Sequence, residues 1–118
     1  FGLDFQPWCA IFVSWCFSQA GNPLPKMGFA KGFASCQKGL EIFTKKNKIT
    51  KDPKPGDLVF FDWDKNGKYD HVGFFEKWLI KNKTFQSIEG NTSTKDQRNG
   101  GMVMERIRFS KGVVFVSM

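Results

Sequence analysis

Two side chains that could act together as a nucleophile and its base, Cys9 and His71, stand out in the sequence. Cys9 closely follows Pro7, a residue that suits the first turn of a helix because its missing N–H is not needed there. The helix dipole and the free N–H groups of a first turn stabilise a thiolate and lower the pKa of the cysteine. His71 is the single histidine of the chain, so any activation of Cys9 by an imidazole has to use it.

A third residue could orient the histidine. A chain reversal centred near Lys81 and Asn82 would bring residues 89–91 close to His71. A carboxylate or carboxamide there would accept a hydrogen bond from the far ring nitrogen and fix the orientation and tautomer of the imidazole. A nucleophile at a helix start, a base on a strand and an orienting residue on the next strand is the layout of papain-like sites.

Other roles for the cysteines stay open on the residues alone. A free cysteine is usually a buried small hydrophobe, and we expect this role for Cys16 and Cys36, which lie on apolar stripes. Three cysteines cannot all pair within one chain, so at least one thiol is free. A zinc site of three cysteines and His71 is possible by count, although no CxxC pair is present.

Two helices and a run of strands are expected to position these residues. Apolar residues recur at helical spacing in two segments, at Trp8, Phe12, Trp15 and Cys16 and at Phe33, Cys36, Leu40 and Phe43. We expect Trp8 and Trp15 to lie in the core. Gly21 and Pro23 end the first helix after Ala20.

The second half of the chain predicts β-strands over residues 58–63, 70–76, 84–89, 102–109 and 113–118. Asn66-Gly67 is a strong signal for a hairpin between the first two. Helices followed by antiparallel strands predict an α+β fold, with N-terminal helices packed on an antiparallel sheet of about five strands. At this length, we expect residues 1–118 to form a single domain.

Charge and hydropathy narrow the classes of partner. The formal net charge of +7 favours an anionic partner. The lysines are scattered and form no arginine-rich stripe or recognition-helix motif, so we expect no nucleic-acid role. No window approaches the roughly 18 unbroken apolar residues of a membrane span, so we expect no membrane insertion.

Three blocks of sequence resemble the motifs of CHAP domains, namely PWCAIFVSWC, PKPGDLVFFDWDKNGKYDHVGFFE and SIEGN. These domains are the cysteine, histidine-dependent amidohydrolase/peptidases of the NlpC/P60-like, papain-related group. The order and spacing of the blocks, between residues 8 and 91, together carry the resemblance. It implies hydrolysis of an amide in bacterial peptidoglycan, as an endopeptidase or an N-acetylmuramoyl-L-alanine amidase. Similar domains occur in phage endolysins and in secreted wall hydrolases.

The resemblance also implies roles for particular residues. Cys9 matches the nucleophile and His71 the general base, while Glu89 and Asn91 match the positions that orient the histidine. Gln6 is a candidate second oxyanion donor beside the backbone N–H of Cys9, by analogy with papain-like enzymes. The resemblance further implies action at the bacterial cell wall and a separate wall-binding module in the parent protein. We expect no organic cofactor.

The acidic segment DWDKNGKYD has the spacing of a calcium-binding loop. Its candidate ligands are Asp62, Asp64, Asn66, the carbonyl of Lys68, and Asp70. Gly73 occupies the place of the usual bidentate Glu, so the pattern is incomplete. Some CHAP domains bind calcium near the active site, and a calcium ion here would hold the loop that positions His71. The alternative is an Asn-Gly hairpin with solvated polar residues.

Two other functions remain open at this point. The same residues would serve a papain-like amidase or protease that acts on a substrate outside the cell wall. A non-catalytic calcium- or wall-binding module could also keep the fold, and Cys9 would then be unreactive.

Overall fold

The computed structural model describes residues 9–21, 24, 36–62, 65, 67–92 and 102–118. Within these ranges lie two helices, α1 (Cys9–Gln19) and α2 (Cys36–Lys45). The strands are β1 (Ile49–Thr50), β2 (Leu58–Phe61), β3 (His71–Ile80), β4 (Thr84–Thr92), β5 (Met102–Phe109) and β6 (Val113–Val116). The α+β class expected from the sequence is therefore confirmed. Neither described helix is long and apolar enough to cross a membrane.

The strands form one antiparallel sheet in the order β1-β6-β2-β3-β4-β5. Strands β2 to β5 follow one another as a meander, and β6 returns to pair with both β1 and β2. The sequence does not predict β1, because a strand of two residues is too short to show the alternation by which strands are recognised. This order makes β3 and β4, which carry His71 and Glu89, neighbours in the sheet.

Two connections inside the meander lie where the sequence predicts them. The expected reversal near Lys81 and Asn82 is present, since β3 ends at Ile80 and β4 begins at Thr84. The expected hairpin between β2 and β3 is also present, since these strands pair as far as Phe61 and His71 and residues 62–70 connect them. Within this loop the N–H of Gly67 donates to Asp62 Oδ2 at 2.8 Å, and Asn66 lies outside the described residues.

Apolar residues on the two faces of the sheet form separate clusters, as the alternation of strand side chains requires. The helix-face cluster contains Ala10, Val13, Leu24, Cys36, Leu40, Phe43, Leu58, Phe60, Val72 and Val116. The aromatic cluster, on the other face, contains Val59, Phe61, Phe75, Phe85 and Phe115, with Trp78 and Val113 packed against it. Successive strand residues therefore serve different clusters.

Helix α1 contacts β3 and β4. Ala10, Val13 and Ser14 are fully buried, and the hydroxyl of Ser14 donates to the carbonyl of Ala10 at 3.0 Å. The expectation that Trp15 lies in the core is wrong, because its exposed fraction is 47%. Two larger side chains of α1, Phe12 and Phe17, also face the sheet and pack on Phe74 of β3, so the apolar spacing identifies the inward face only in part. Trp8 lies outside the described residues.

Replacing Phe85 by Ala is expected to lower the free energy of unfolding by about 3–5 kcal/mol, because the ring is fully buried. It contacts four other aromatic rings of the cluster at centroid distances between 5.4 and 6.2 Å. Urea denaturation measures the change. The matched control is Phe109→Ala, which removes the same side chain at a site that is 76% exposed and is expected to change stability by less than about 1 kcal/mol. Equal effects of the two substitutions would contradict this description of the core.

Candidate active site

Cys9 is the first residue of α1, the helix that contacts β3 and β4. The backbone N–H groups of a first helical turn have no partner within the helix and can serve an anion. The side chain of Cys9 lies outside the described part of the chain, as do Gln6 and Pro7. The structure therefore shows that the backbone of the candidate nucleophile lies at the start of the helix that contacts β3 and β4.

His71 is the first residue of β3 and Glu89 lies on β4. Both side chains are buried, with 2% and 0% of the residue exposed. Nε2 of His71 lies 2.8 Å from Oε1 of Glu89. The ring of Phe61, which pairs with His71 across β2 and β3, packs against the imidazole at a centroid distance of 5.4 Å. The imidazole is therefore held by a carboxylate and by an aromatic ring.

Gly73 makes room for Glu89 to reach His71. A Cβ atom on Gly73 would lie 2.7 Å from Cγ of Glu89 and 3.0 Å from the carbonyl oxygen of Ile88, which is too close for any side chain. The carboxylate side chain therefore passes over the glycine on its way to the imidazole. Sequence reasoning missed this role, although a glycine inside a strand is a known signal of a close approach.

Glu89 has two further partners besides His71. The guanidinium of Arg108 donates from Nη2 to Oε1 at 2.7 Å and from Nε to Oε2 at 2.9 Å. The hydroxyl of Ser87 donates to Oε2 at 2.5 Å. Both oxygens of the carboxylate are thus engaged by donors that are fixed on strands.

Arg108 is a site residue that sequence reasoning missed. It lies on β5, outside the three motif blocks, and only the pairing of β4 with β5 brings it to Glu89. Its guanidinium carbon lies 5.5 Å from the centroid of the Phe61 ring, in a cation–π contact. Its side chain is 17% exposed. No pattern in the sequence marks Arg108 among the other basic residues of the chain.

The partners of Glu89 keep its carboxylate ionised. Burial by itself raises the pKa of Glu89, but the hydrogen bonds from Arg108 and His71 and the positive charges of these side chains lower it from 4.5 to about 2. An ionised carboxylate can only accept hydrogen bonds, so Nε2 of His71 carries the proton of their shared bond. In the neutral imidazole, Nδ1 is then the nitrogen with the basic lone pair.

The two other cysteines are placed differently from Cys9. Cys16 is half-buried further along α1, and burial raises the pKa of its thiol. Cys36 is buried in the helix-face cluster. A raised pKa leaves little thiolate at neutral pH, so Cys16 is a poor nucleophile.

The candidate orienting amide, Asn91, lies on β4, and its side chain is outside the described residues. Phe74 pairs with Ile88 and Phe75 with Ser87. The same register, extended toward the start of β3, would bring the backbone of Asn91 opposite His71.

The candidate calcium ligands are only partly described. Asp62 directly follows β2 and Asp70 directly precedes β3, so both lie at the base of one loop. Lys68 is exposed. Asp64 and Asn66 lie outside the described residues. Within the described ranges, no three His, Cys, Asp or Glu residues are grouped closely enough to hold a metal ion. The two aspartates fit a calcium site by chemistry and by their common loop, and the full ligand set stays a prediction.

The family model described as CHAP domain matches residues 2–91. This match spans most of the chain, which therefore belongs to the CHAP domain family, as the three sequence blocks indicate. CHAP domains are typically hydrolases of the amidase or peptidase type related to peptidoglycan. Comparisons with curated proteins and with solved structures found no match. Arg108 lies beyond the matched residues.

Stability is expected to fall as the pH is lowered from about 4.5 to about 2, because Glu89 has a lower pKa in the folded than in the unfolded chain. Unfolding then takes up a proton in this window, which removes about 3 kcal/mol of stabilisation from this group. Denaturant unfolding at several pH values measures the loss. The Glu89→Gln variant, which has no proton to gain there, should show a shallower dependence; parallel curves would contradict the assignment.

Proposed function

We propose that this chain hydrolyses an amide bond of bacterial peptidoglycan, with Cys9 as the nucleophile and His71 as the general base. The observation that supports this most directly is the buried contact of 2.8 Å between His71 Nε2 and Glu89 Oε1. A lone structural histidine does not need an ionised, fully buried carboxylate, whereas a general base needs its tautomer and orientation fixed. Membership of the CHAP family supplies the class of substrate.

The reaction is an acyl transfer in two stages. Nδ1 of His71 takes the proton of the Cys9 thiol, and the sulfur attacks the carbonyl carbon of the scissile amide. The carbon–nitrogen bond then breaks, and the imidazolium returns its proton to the leaving amine. In the second stage His71 takes a proton from water, the resulting hydroxide attacks the thioester, and the Cys9 thiolate leaves and is reprotonated. Glu89 stays ionised throughout and stabilises the imidazolium.

The oxyanion of each tetrahedral intermediate needs hydrogen-bond donors. The backbone N–H of Cys9, at the start of α1, is the first donor in this proposal. The side chain of Gln6 is the second, by analogy with papain-like enzymes. Asn91 assists Glu89 in orienting His71.

The biological setting that we propose is the bacterial cell wall. The chain would act as the catalytic domain of an endolysin or of a secreted wall hydrolase of the papain-like, NlpC/P60-related type, beside a separate wall-binding module. The net charge of +7 suits a wall whose polymers are anionic. The bond cleaved would be in the stem peptide, in the cross-bridge or at the muramoyl–alanine link.

Cys9→Ala and His71→Ala are each expected to abolish lysis of Gram-positive cell walls, whereas Cys16→Ala should retain it. The first two variants remove the nucleophile and the base, while Cys16 has a raised thiol pKa and lies outside the site. Loss of turbidity of purified walls measures the activity, and the thermal melt of each variant shows that it is folded. Lysis that persists in Cys9→Ala would contradict the thiol mechanism.

Alkylation of Cys9 provides a test that does not need the correct substrate. The rate of its reaction with iodoacetamide should rise with an apparent pKa below the roughly 8.5 of a free thiol. A normal or raised pKa for Cys9 would favour a non-catalytic module. A lowered pKa without wall lysis would favour an amidase or protease acting on another substrate.

We also propose that the loop of residues 62–70 binds calcium and that the bound ion stabilises the structure of this loop. Asp62, Asp64 and Asp70 place three carboxylates in a short segment of a basic chain, and like charges this close repel unless a cation offsets them. Asn66 and the carbonyl of Lys68 would complete the oxygen ligands. The loop joins Phe61 directly to His71, so its rigidity would bear on the position of the base.

Addition of calcium after chelation is expected to raise the melting temperature, because a ligand that binds the folded state alone stabilises it. The gain is about 2.7 kcal/mol at a hundredfold excess over the dissociation constant. Asp62→Asn should reduce the effect, since the amide oxygen can still accept the N–H of Gly67 but carries no charge. Magnesium at the same concentration controls for ionic strength. Identical melts in chelator and in millimolar calcium would contradict the proposal.

A further inference from the structure

We propose that Arg108 is a positioning residue of the active site, which fixes the carboxylate of Glu89 so that Oε1 faces Nε2 of His71. The proposal rests on the proposed function, since His71 is taken as the general base. It extends the site to β5, a strand that lies outside the residues matched by the family model.

The geometry around Glu89 carries the inference. Oε1 accepts from His71 at 2.8 Å and from Arg108 Nη2 at 2.7 Å. Oε2 accepts from Arg108 Nε at 2.9 Å and from Ser87 at 2.5 Å. Arg108 is the single described residue that holds both oxygens, and its fork is planar and rigid. Rotation of the carboxylate away from the imidazole would break both bonds to the guanidinium.

Arg108 is itself held in place by Phe61. The guanidinium lies over the Phe61 ring at 5.5 Å, and the same ring packs against the imidazole of His71 at 5.4 Å. Phe61 also stacks on Phe85, the residue that pairs in register with Arg108. The imidazole, the carboxylate and the guanidinium therefore form one connected set around a buried ring, which is what the fixed orientation of a base requires.

A direct role in substrate binding is the rival explanation for Arg108. It also lines a cavity of about 350 Å³, together with Phe61, Asp62 and Lys65. An arginine that bound an anionic group of the substrate there would act on affinity for the substrate. A positioning residue instead acts on the chemical step, so kcat and KM separate the two roles.

The first experiment compares Arg108→Gln and Arg108→Lys with Arg106→Gln, using solubilised peptidoglycan fragments as the substrate. Arg106 lies on the same strand and on the same side as Arg108, and it makes no bond to Glu89 among the described residues. Its replacement changes the net charge as Arg108→Gln does. We expect kcat to fall about tenfold or more in Arg108→Gln with KM nearly unchanged, by analogy with the roughly tenfold to hundredfold losses when the hydrogen-bond partners of metal-binding histidines are removed.

Arg108→Lys keeps the charge but replaces the planar fork with a single ammonium group. We expect it to recover only part of the activity, because one ammonium cannot hold both oxygens in the same geometry. Full recovery by lysine, or a rise in KM with kcat unchanged in Arg108→Gln, would overturn the positioning role.

A double-mutant cycle keeps the proposal testable if Arg108→Gln alone does not fold, since that variant leaves a buried carboxylate without its counter-charge. Glu89→Gln with Arg108→Gln removes both charges together. If Arg108 acts through Glu89, the double variant should have the same kcat as Glu89→Gln alone. A further loss in the double variant would show that Arg108 acts on something other than Glu89, and would overturn the proposal.

NMR of the His71 imidazole separates this proposal from the proposed function, because it requires no substrate. The proton on Nε2 should give a strongly deshielded signal in the wild type and in Arg106→Gln, and this signal should move or be lost in Arg108→Lys. The same signal in all three proteins would overturn the positioning role even if walls are lysed. A changed signal would support it even if Cys9 proved not to be the nucleophile.

Discussion

The burial of one charged group, the carboxylate of Glu89, is the constraint on which the site depends. None of its surface is exposed, and an ion taken out of water costs several kcal/mol unless hydrogen bonds and opposite charge offset that cost. The local structure meets this requirement with donors from three strands, namely His71, Ser87 and Arg108. Gly73 meets the steric requirement, because any side chain there would collide with Glu89. The burial of this one charge thus explains why three donors and one glycine surround Glu89.

The meander is the element of the fold that makes this arrangement possible. Strands β2, β3, β4 and β5 lie in chain order across the sheet, and each contributes to one connected set. Phe61 comes from β2, His71 from β3, Glu89 from β4 and Arg108 from β5. The register between neighbouring antiparallel strands determines which of their side chains lie side by side. Four side chains from distant parts of the sequence therefore meet on rigid strands and not on a flexible loop.

The parts of the fold that the sequence predicts are those with a local signal. Glycine and proline residues at the ends of elements, together with the long apolar runs, indicate the helices and the longer strands. The midpoint between residues 71 and 91 locates the turn that brings β4 back beside β3. The motif blocks indicate the family. The inward face of α1 is predicted only in part, because Phe12 packs on the sheet whereas Trp15, which the spacing assigns to the same apolar stripe, is exposed.

Arg108 shows a second reason why the sequence alone does not predict the whole site. The position of Arg108 depends on which strand pairs with β4 and in which register, and that is decided by the whole sheet. No short motif contains this information. The Asn-Gly signal at residues 66 and 67 is local by contrast, and it correctly predicts that β2 and β3 form a hairpin, although their pairing ends at Phe61 and His71.

The two faces of the sheet give the nucleophile and the base different supports. The first turns of α1 belong to the helix-face cluster through Ala10 and Val13, whereas His71 packs on Phe61 of the aromatic cluster. Val72, the residue after His71, is fully buried in the helix-face cluster. Since adjacent strand residues point to opposite faces, the backbone at residues 71 and 72 links the two clusters. In the proposed mechanism, the alignment of Cys9 with His71 depends on this link, because the packing of α1 on Val72 sets where the helix start lies relative to the base.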